Sequence, residues 1–184
     1  MSQLLRVWKR RLWALRVLRG PSRTWAWRRL WETRAQREAR LAAATLSSTG
    51  RLVFVCHGNI MRSAFATQVA RAHVPAAAAR IVGAGTHATA GRSAQDAALE
   101  VSRTMALPLD GHTATPLHAL GLTSSDVVVC MDALNEANVL ASYPALAPRV
   151  FRVGDVCAGS ETPATQLSHA DREIVDPYGR GIPA

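Results

Sequence analysis

Four short apolar runs mark the chain beyond residue 50 and predict four β-strands. They lie at residues 52–55, 80–86, 126–132 and 149–153. The third run is apolar almost throughout, as a central strand of a parallel sheet should be. The fourth alternates apolar and polar positions, which places it nearer a sheet edge.

Helical patterns separate these runs. We expect a helix over 64–72 with Ser63 as its N-cap, a second that Ser93 caps and that ends near Met105, and a third over 133–142, with a short helical turn at 116–120. Strands that alternate with helices form βαβ units. The sequence therefore predicts a three-layer α/β fold, in which helices flank a four-stranded parallel sheet.

The chemistry is concentrated where the first strand meets the first helix. Gly58 and Asn59 both tolerate left-handed backbone angles, so the chain can turn sharply there. A loop that enters a helix N-terminus points several N–H groups at one small volume, which suits an anion. Arg62 adds a planar fork that can bind two phosphate oxygens. The candidate phosphate-binding and supporting residues of this loop are His57, Gly58, Asn59, Ile60, Met61 and Ser63.

Cys56 begins this loop and has two interpretations. A thiol at a helix N-terminus beside an arginine favours its thiolate form, and a thiolate beneath a bound phosphate is a nucleophile. A free cysteine is otherwise most often a small buried apolar residue. The strand before Cys56 and the loop and helix after it favour the nucleophile.

A phosphoryl transfer to Cys56 would need an acid to protonate the leaving oxygen. Asp176, held in a turn by Pro177, could reach the mouth of the anion site and then act as the base for water. More commonly, the aspartate of an Asp-Pro pair is a solvated turn residue without a catalytic role.

Composition restricts the remaining possibilities. The three cysteines, Cys56, Cys130 and Cys157, have irregular spacing that makes neither a disulfide framework nor a zinc pattern. We therefore expect no metal and no cofactor, and a reducing cytoplasm suits the thiols. No stretch is long and apolar enough to span a bilayer.

Charge divides the chain into an arm, residues 1–50, and a catalytic domain, residues 51–184. The net charge of the whole is +9, yet residues 1–40 alone carry +10 and also all five tryptophans. We expect a basic amphipathic helix at the start of the arm, a break at Gly20–Pro21, and a second helix that Ser22 or Thr24 caps and that runs to about Leu46. Two alternatives for the arm are equally supported: residues 1–40 contact an anionic membrane, or the arm is poorly ordered and has no role. A transit peptide and nucleic-acid binding rank behind both.

Together these residues resemble the low-molecular-weight protein tyrosine phosphatases, over residues 51 to about 180. The most specific matches are the loop from Cys56 to Ser63 after an apolar strand and the pair Asp176–Pro177 late in the chain. Supporting matches are residues 84–86, His112 and residues 131–132. It implies a protein-tyrosine phosphatase that works through a phosphocysteine. Cys56 would be the nucleophile, Arg62 the phosphate clamp and Asp176 the general acid and base. Ser63 would stabilise the leaving thiolate, and Asn59 and His112 would hold the loop in shape, although His112 could equally be an ordinary surface histidine.

The chain departs from the family pattern at four places. Met61 replaces a frequent loop cysteine, Gly83 replaces a serine of the supporting network, and residues 87–90 lack the usual aromatic pocket wall. The family also continues into a C-terminal helix that packs on the sheet. We expect either that helices of the arm take its place, or that the chain is a fragment or only marginally stable.

Two other functions fit the same fold. Arsenate reduction would need two relay thiols, and Cys130 could be the first, although no second follows two helical turns later. A catalytically weak phosphate-binding interaction module is the non-enzymatic alternative. The expected partner is a phosphotyrosine protein. Bacterial members of the family often reverse the action of tyrosine kinases of polysaccharide export, so the resemblance implies such a kinase as a candidate substrate. A cytoplasmic enzyme with a membrane-facing arm would suit that substrate.

Overall fold

A four-stranded parallel sheet with helices on both faces forms the centre of the chain. The computed structural model describes residues 32–47, 49–156, 174, 176 and 177. In order along the chain, its elements are α1 (Arg34–Leu46), β1 (Leu52–Cys56), α2 (Arg62–His73), β2 (Ile81–Gly85), α3 (Asp96–Thr104), β3 (Val127–Cys130), α4 (Ala133–Ser142), β4 (Val150–Arg152) and the single turn α5 (Val153–Val156), with 3-10 helices at Pro75–Arg80, Leu117–Leu120 and Pro144–Arg149. The α/β fold predicted from the alternating pattern is confirmed.

The strand order is β2-β1-β3-β4, and every pairing is parallel. The predictions of a central third strand and an edge position for the fourth are therefore confirmed. Because all four strands run the same way, their carboxyl ends meet at one edge, where ligands of such sheets bind. The pairing of Cys56 with Gly85 on β2 places the predicted nucleophile at that edge.

The larger core lies between the sheet and α4. It joins Val53, Val55, Val128 and Cys130, all fully buried, to the inner side of α4. Cys130 pairs in register with Val55, so its side chain points to the same face as Val55 and away from Cys56, because successive strand residues alternate. The thiol proposed as a first arsenate relay is thus core, on the far side of the sheet from Cys56.

Helix α1 covers part of the opposite face. Ala44 is buried against Val127 and Phe151, with Leu41 and Leu52 packed around them. The sequence assigned residues 32–47 to the arm, yet these contacts tie them to the sheet. The first predicted arm helix lies outside the described residues. Among the described residues, no helix combines the length and apolarity that a membrane crossing requires.

Two predicted helix caps were wrong. Helix α2 begins at Arg62, so Ser63 lies within its first turn and turns its hydroxyl to Cys56. Helix α3 begins at Asp96, and Ser93 instead bridges to Thr113. Helix α1 begins at Arg34 behind a capping box that Thr33 forms with Gln36, so the predicted second arm helix does not run unbroken to Leu46, and its predicted caps Ser22 and Thr24 lie outside the described residues. In the first two, a tertiary contact outweighed the local preference of serine for an N-cap.

Candidate active site

The loop from Cys56 to Arg62 wraps around one sulfur atom. Cys56 is 2% exposed, and its Sγ accepts a hydrogen bond from the backbone N–H of Asn59 at 3.2 Å. The Ser63 hydroxyl lies 3.0 Å from the same sulfur. Donors that point at a buried sulfur stabilise its anionic form, so the geometry suits a thiolate.

Asn59 holds the loop in shape through its backbone and its side chain. Its φ of 53° is left-handed, which asparagine tolerates better than most residues. Its amide Oδ1 accepts from the Thr115 N–H at 2.9 Å, and its carbonyl oxygen lies 2.6 Å from His112 Nε2. Because a carbonyl only accepts, His112 Nε2 must carry a proton there. The structure thus brings His112 to the loop, as the resemblance implied.

A directed chain of hydrogen bonds links Asn59, Ser63 and Cys56. Asn59 Nδ2 donates to Ser63 Oγ at 2.9 Å, which occupies a lone pair of that hydroxyl. The one hydroxyl hydrogen of Ser63 can then point to the sulfur at 3.0 Å or to the Ala84 carbonyl at 3.3 Å. An ionised sulfur would be the stronger acceptor, so this arrangement of donors would favour a thiolate at Cys56.

Gly83 lies directly behind this chain. A Cβ added there would come within 2.8 Å of both Asn59 Nδ2 and Thr67 Oγ1. Thr67 is buried and donates its hydroxyl to the Ser63 carbonyl at 2.7 Å. The space that a side chain at position 83 would need is therefore filled by Thr67, which explains how the chain accommodates this departure from the family pattern.

Arg62 connects the loop to two carboxylates. Its Nη1 donates to Asp132 at 2.8 Å and to the Ile174 carbonyl at 2.9 Å, and its Nη2 donates to Asp176 at 2.7 Å. Asp132 is buried and also caps α4 by accepting from the Asn135 N–H. Asp176 remains partly exposed, with a quarter of its side chain accessible.

Sequence reasoning gave Asp132 no role at the site, although it used residues 131–132 for the resemblance. Its position was the available signal, because it follows the strand next to β1 at the carboxyl edge of the sheet.

A pocket of about 240 Å³ opens over Cys56, Arg62 and Asp176. The backbone N–H of His87 donates to the His57 carbonyl at 2.8 Å, and the two imidazole rings stack with centroids 4.6 Å apart. The pKa of His57 is lowered, first by partial desolvation and then by repulsion from His87, against the attraction of Asp176. The remaining lining residues are Gly58, Ile60, Met61, Thr89 and Arg92.

His87 is the second residue that sequence reasoning missed, because nothing in the sequence pairs it with His57. In the part of the chain that the structure describes, no group of three or more His, Cys, Asp or Glu residues is arranged to hold a metal ion.

Fold and site together define a cysteine-based phosphate site on a parallel α/β sheet. The family model for low molecular weight phosphotyrosine protein phosphatase matches residues 51–184. The chain therefore belongs to the low-molecular-weight phosphotyrosine protein phosphatase family, as the sequence predicted.

Individual relatives agree with this assignment. A probable low-molecular-weight protein-tyrosine-phosphatase EpsP of Ralstonia nicotianae is 26% identical, over 72% of this chain and 81% of the relative. The crystal structure of the Erwinia amylovora tyrosine phosphatase AmsI is 26% identical, covers 72% of this chain and 78% of its own, and gives a TM-score of 0.60. The crystal structure of the tyrosine phosphatase Wzb of Escherichia coli K30 with sulphate is 25% identical, covers 70% of this chain and 80% of its own, and gives a TM-score of 0.57.

Proposed function

We propose that this protein hydrolyses phosphotyrosine in proteins through a phosphocysteine on Cys56. One observation supports this most directly: the Cys56 sulfur lies beneath the Asn59 N–H and the Ser63 hydroxyl, in the same pocket as the Arg62–Asp176 ion pair. Nucleophile, anion clamp and proton donor are thus within one small volume.

In the first step, the Cys56 thiolate attacks phosphorus and the S–P bond forms as the P–O ester bond breaks. The protonated Asp176 carboxyl gives its proton to the leaving phenol oxygen. Arg62 and the loop N–H groups stabilise the negative charge on the equatorial oxygens. The products of this step are tyrosine and a phosphocysteine, and Asp176 is left ionised.

The second step returns the enzyme to its starting state. Asp176 takes a proton from water, whose oxygen attacks phosphorus while the S–P bond breaks. The electron pair of that bond returns to Cys56, and the Ser63 hydroxyl stabilises the resulting thiolate at 3.0 Å. Inorganic phosphate then leaves.

The ion pair between Arg62 and Asp176 sets the order of events. Nη1 of the guanidinium donates to Asp132 and to the Ile174 carbonyl, and Nη2 donates to Asp176, so Asp176 competes with a phosphate for Nη2. An entering phosphate would replace Asp176 on Arg62, and the released carboxylate would take up a proton from solvent before it acts as the acid on the leaving oxygen. Asp132, the more buried carboxylate, would keep the guanidinium in position.

The pocket walls favour an aryl phosphate. The apolar Ile60 lines one part of the pocket, and the stacked imidazoles of His57 and His87 present a flat surface at another. Such surfaces suit a phenyl ring better than a flexible, charged guanidine. Ile60 also differs from the threonine that arginine phosphatases resembling this family carry at that position.

Hydrolysis of para-nitrophenyl phosphate and of a phosphotyrosine peptide tests the proposal. The Cys56→Ser variant should lose turnover of both while still binding inorganic phosphate. Cys130→Ala, which alters a buried thiol on the other face of the sheet, is the matched control and should keep turnover. Full activity in Cys56→Ser would refute the mechanism, and phosphopeptide binding without hydrolysis by the wild-type protein would favour the interaction module.

The assignment of a partner and a location belongs to the same proposal. A phosphotyrosine protein, and by resemblance a tyrosine kinase of polysaccharide export, is the proposed substrate of a cytoplasmic enzyme. Residues 1–40, with a net charge of +10, are proposed to contact anionic membrane surfaces. Cosedimentation of the full chain with anionic vesicles, but not with neutral ones, would support that contact.

A further inference from the structure

A second pocket of about 280 Å³ lies beside the catalytic pocket, and His87 belongs to the walls of both. Thr86 and His87 form its near side, the 3-10 helix at Leu117–Leu120 one flank, and the C-terminal end of α4 the other. The two pockets are therefore neighbours on one surface, separated by a single imidazole ring.

The ridge between the pockets is firmly held to the catalytic loop. The Thr86 N–H donates to the Cys56 carbonyl at 3.0 Å, and the His87 N–H donates to the His57 carbonyl at 2.8 Å. The His87 ring stacks on His57 and its Nδ1 lies 3.0 Å from Thr86 Oγ1. A substrate residue in the second pocket would thus have a fixed position relative to the phosphate site.

The walls of the second pocket combine apolar and polar groups. Leu117, Ala141 and the ring of Tyr143 supply apolar surface, while Ser142 and Asn138 supply hydrogen-bonding groups. The Nδ2 of Asn138 is buried and has no hydrogen-bond partner among the described residues. A buried donor of this kind is costly unless an acceptor reaches it.

Charge decides between a neutral and an anionic occupant. Among the described residues, the pocket walls contain no carboxylate, lysine or arginine, and their ionisable side chains are His87, His118 and Tyr143. The C-terminal end of α4 presents the negative end of its dipole there, which disfavours an anion. A neutral aromatic side chain with a polar tip matches walls that combine apolar and hydrogen-bonding groups.

We propose that this second pocket binds a tyrosine side chain adjacent to the phosphotyrosine of the substrate, so that the enzyme selects sequences with neighbouring tyrosines. This inference rests on the proposed function, because it assumes that the catalytic pocket holds the phosphotyrosine. His87 would separate the two rings.

Phosphopeptides of a Gly/Ser/Ala host with one central phosphotyrosine test the proposal. A single unphosphorylated tyrosine is moved through the three positions on either side and is compared with alanine and glutamate at each. We expect one position where tyrosine raises kcat/KM about tenfold over alanine, the range that an apolar pocket can discriminate.

Ala141→Trp, at an exposed position on the pocket wall, should fill the pocket and remove that preference. Ser142→Trp provides a second block if the first variant fails to fold. Ala145→Trp, exposed but outside the pocket, is the matched control and should keep the preference. All three should hydrolyse para-nitrophenyl phosphate at the wild-type rate, since that substrate cannot reach the second pocket.

Binding of the same phosphopeptides, carrying a fluorescent label, to Cys56→Ser separates this proposal from the catalytic one. A tyrosine preference in binding that Ala141→Trp removes supports the subsite even if the wild-type protein fails to hydrolyse any peptide. Equal affinity for all peptides, a preference that survives both blocking variants, or a preference for glutamate over tyrosine would overturn it. Turnover of para-nitrophenyl phosphate with no positional preference refutes the subsite alone.

Discussion

Arg62 Nη2 and the Asp176 carboxylate lie 2.7 Å apart, so the group predicted to clamp phosphate and the group predicted to move the proton are ion-paired with each other. Asp132 holds the other terminal nitrogen of Arg62 at 2.8 Å. The two carboxylates differ in exposure, 25% for the Asp176 side chain and 2% for Asp132. The exposed one is suited to exchange with substrate, and the buried one to fix the guanidinium.

Asp176→Asn tests this division of roles. We expect kcat to fall by about a hundredfold or more, as for loss of a general acid. The loss in kcat/KM, which reports the first step, should be greater with phenyl phosphate than with para-nitrophenyl phosphate, because the poorer leaving group depends more on protonation. Inorganic phosphate should bind at least as tightly, since an anionic competitor for Arg62 is gone. An equal loss for both esters would contradict the role as acid.

Ser63→Ala tests the hydrogen-bond chain to the sulfur. The second chemical step should slow by about tenfold to a hundredfold, because a hydrogen bond to the departing thiolate is lost. Phosphoenzyme should then accumulate, and rapid mixing should show a burst of para-nitrophenol. Ser102→Ala is the control, since within the described part of the chain that buried hydroxyl bonds only the Leu99 carbonyl of its own helix. A similar burst in the control would point to a general loss of structure.

Gly83→Ala tests the packing behind Asn59. The added Cβ would lie 2.8 Å from both Asn59 Nδ2 and Thr67 Oγ1, so the loop must shift. We expect kcat/KM to fall on the order of tenfold to a hundredfold, because small displacements of catalytic groups are costly. The double variant with Thr67→Ala removes one of the two contacts and should recover part of the activity. No change in Gly83→Ala would show that the loop absorbs the Cβ.

Local features of the sequence were sufficient for the sheet and for the catalytic loop. Leu52–Cys56 and Val127–Cys130 are apolar runs, and helix α4 was predicted with its observed bounds. The loop residues Cys56 to Ser63 are contiguous, so one short stretch carried most of the site.

What the sequence could not provide depends on distant contacts. Asp132 reaches Arg62 across 70 residues because β1 and β3 pair in parallel, and the register of that pairing is not written in either strand. Ser63 and Ser93 have the same local preference for a cap, yet each makes a tertiary contact that outweighs it. The stack of His57 on His87 likewise exists only once β2 lies beside β1.

The ion pair between Arg51 and Asp126 predicts a pH dependence of stability. Hydrogen bonds from Arg51 and from the Thr123 and Arg51 N–H groups outweigh the opposing effect of burial and lower the pKa of Asp126 from 3.8 to about 2. A carboxyl whose pKa is depressed in the folded state stabilises that state at pH values above the pKa of the same group in the unfolded chain. This stabilisation is lost as the pH falls from about 3.8 towards 2.

Asp126→Asn should therefore lower the free energy of unfolding at pH 7 by about 2 kcal/mol. The difference from the wild-type protein should shrink below pH 4 and be nearly gone near pH 2, as measured by urea unfolding. Asp110→Asn, in an exposed pair with Arg103, is the control and should show little effect at any pH. A constant difference between pH 7 and pH 2 would exclude ionisation of Asp126 as the cause.

The contacts of helix α1 with the sheet predict that the catalytic domain needs residues before position 50 for its stability. Arg40 lies over the Phe151 ring at 4.1 Å, donates to the Pro148 and Val150 carbonyls at 2.8 and 3.2 Å, and pairs with Glu32. Arg40→Ala should lower the free energy of unfolding by about 2 kcal/mol, because a cation–π contact and several hydrogen bonds are lost together. Arg103→Ala, whose ion pair is 63% exposed on both sides, is the matched control and should cost about 0.5 kcal/mol or less.

A chain that starts at Gly50 should be affected more than Arg40→Ala, since it exposes Phe151 and Val127, which α1 buries. We expect it to unfold at a much lower urea concentration than the full protein, or to aggregate. Equal unfolding midpoints for the chain from Gly50 and the full protein would show that α1 is only an appendage of the sheet.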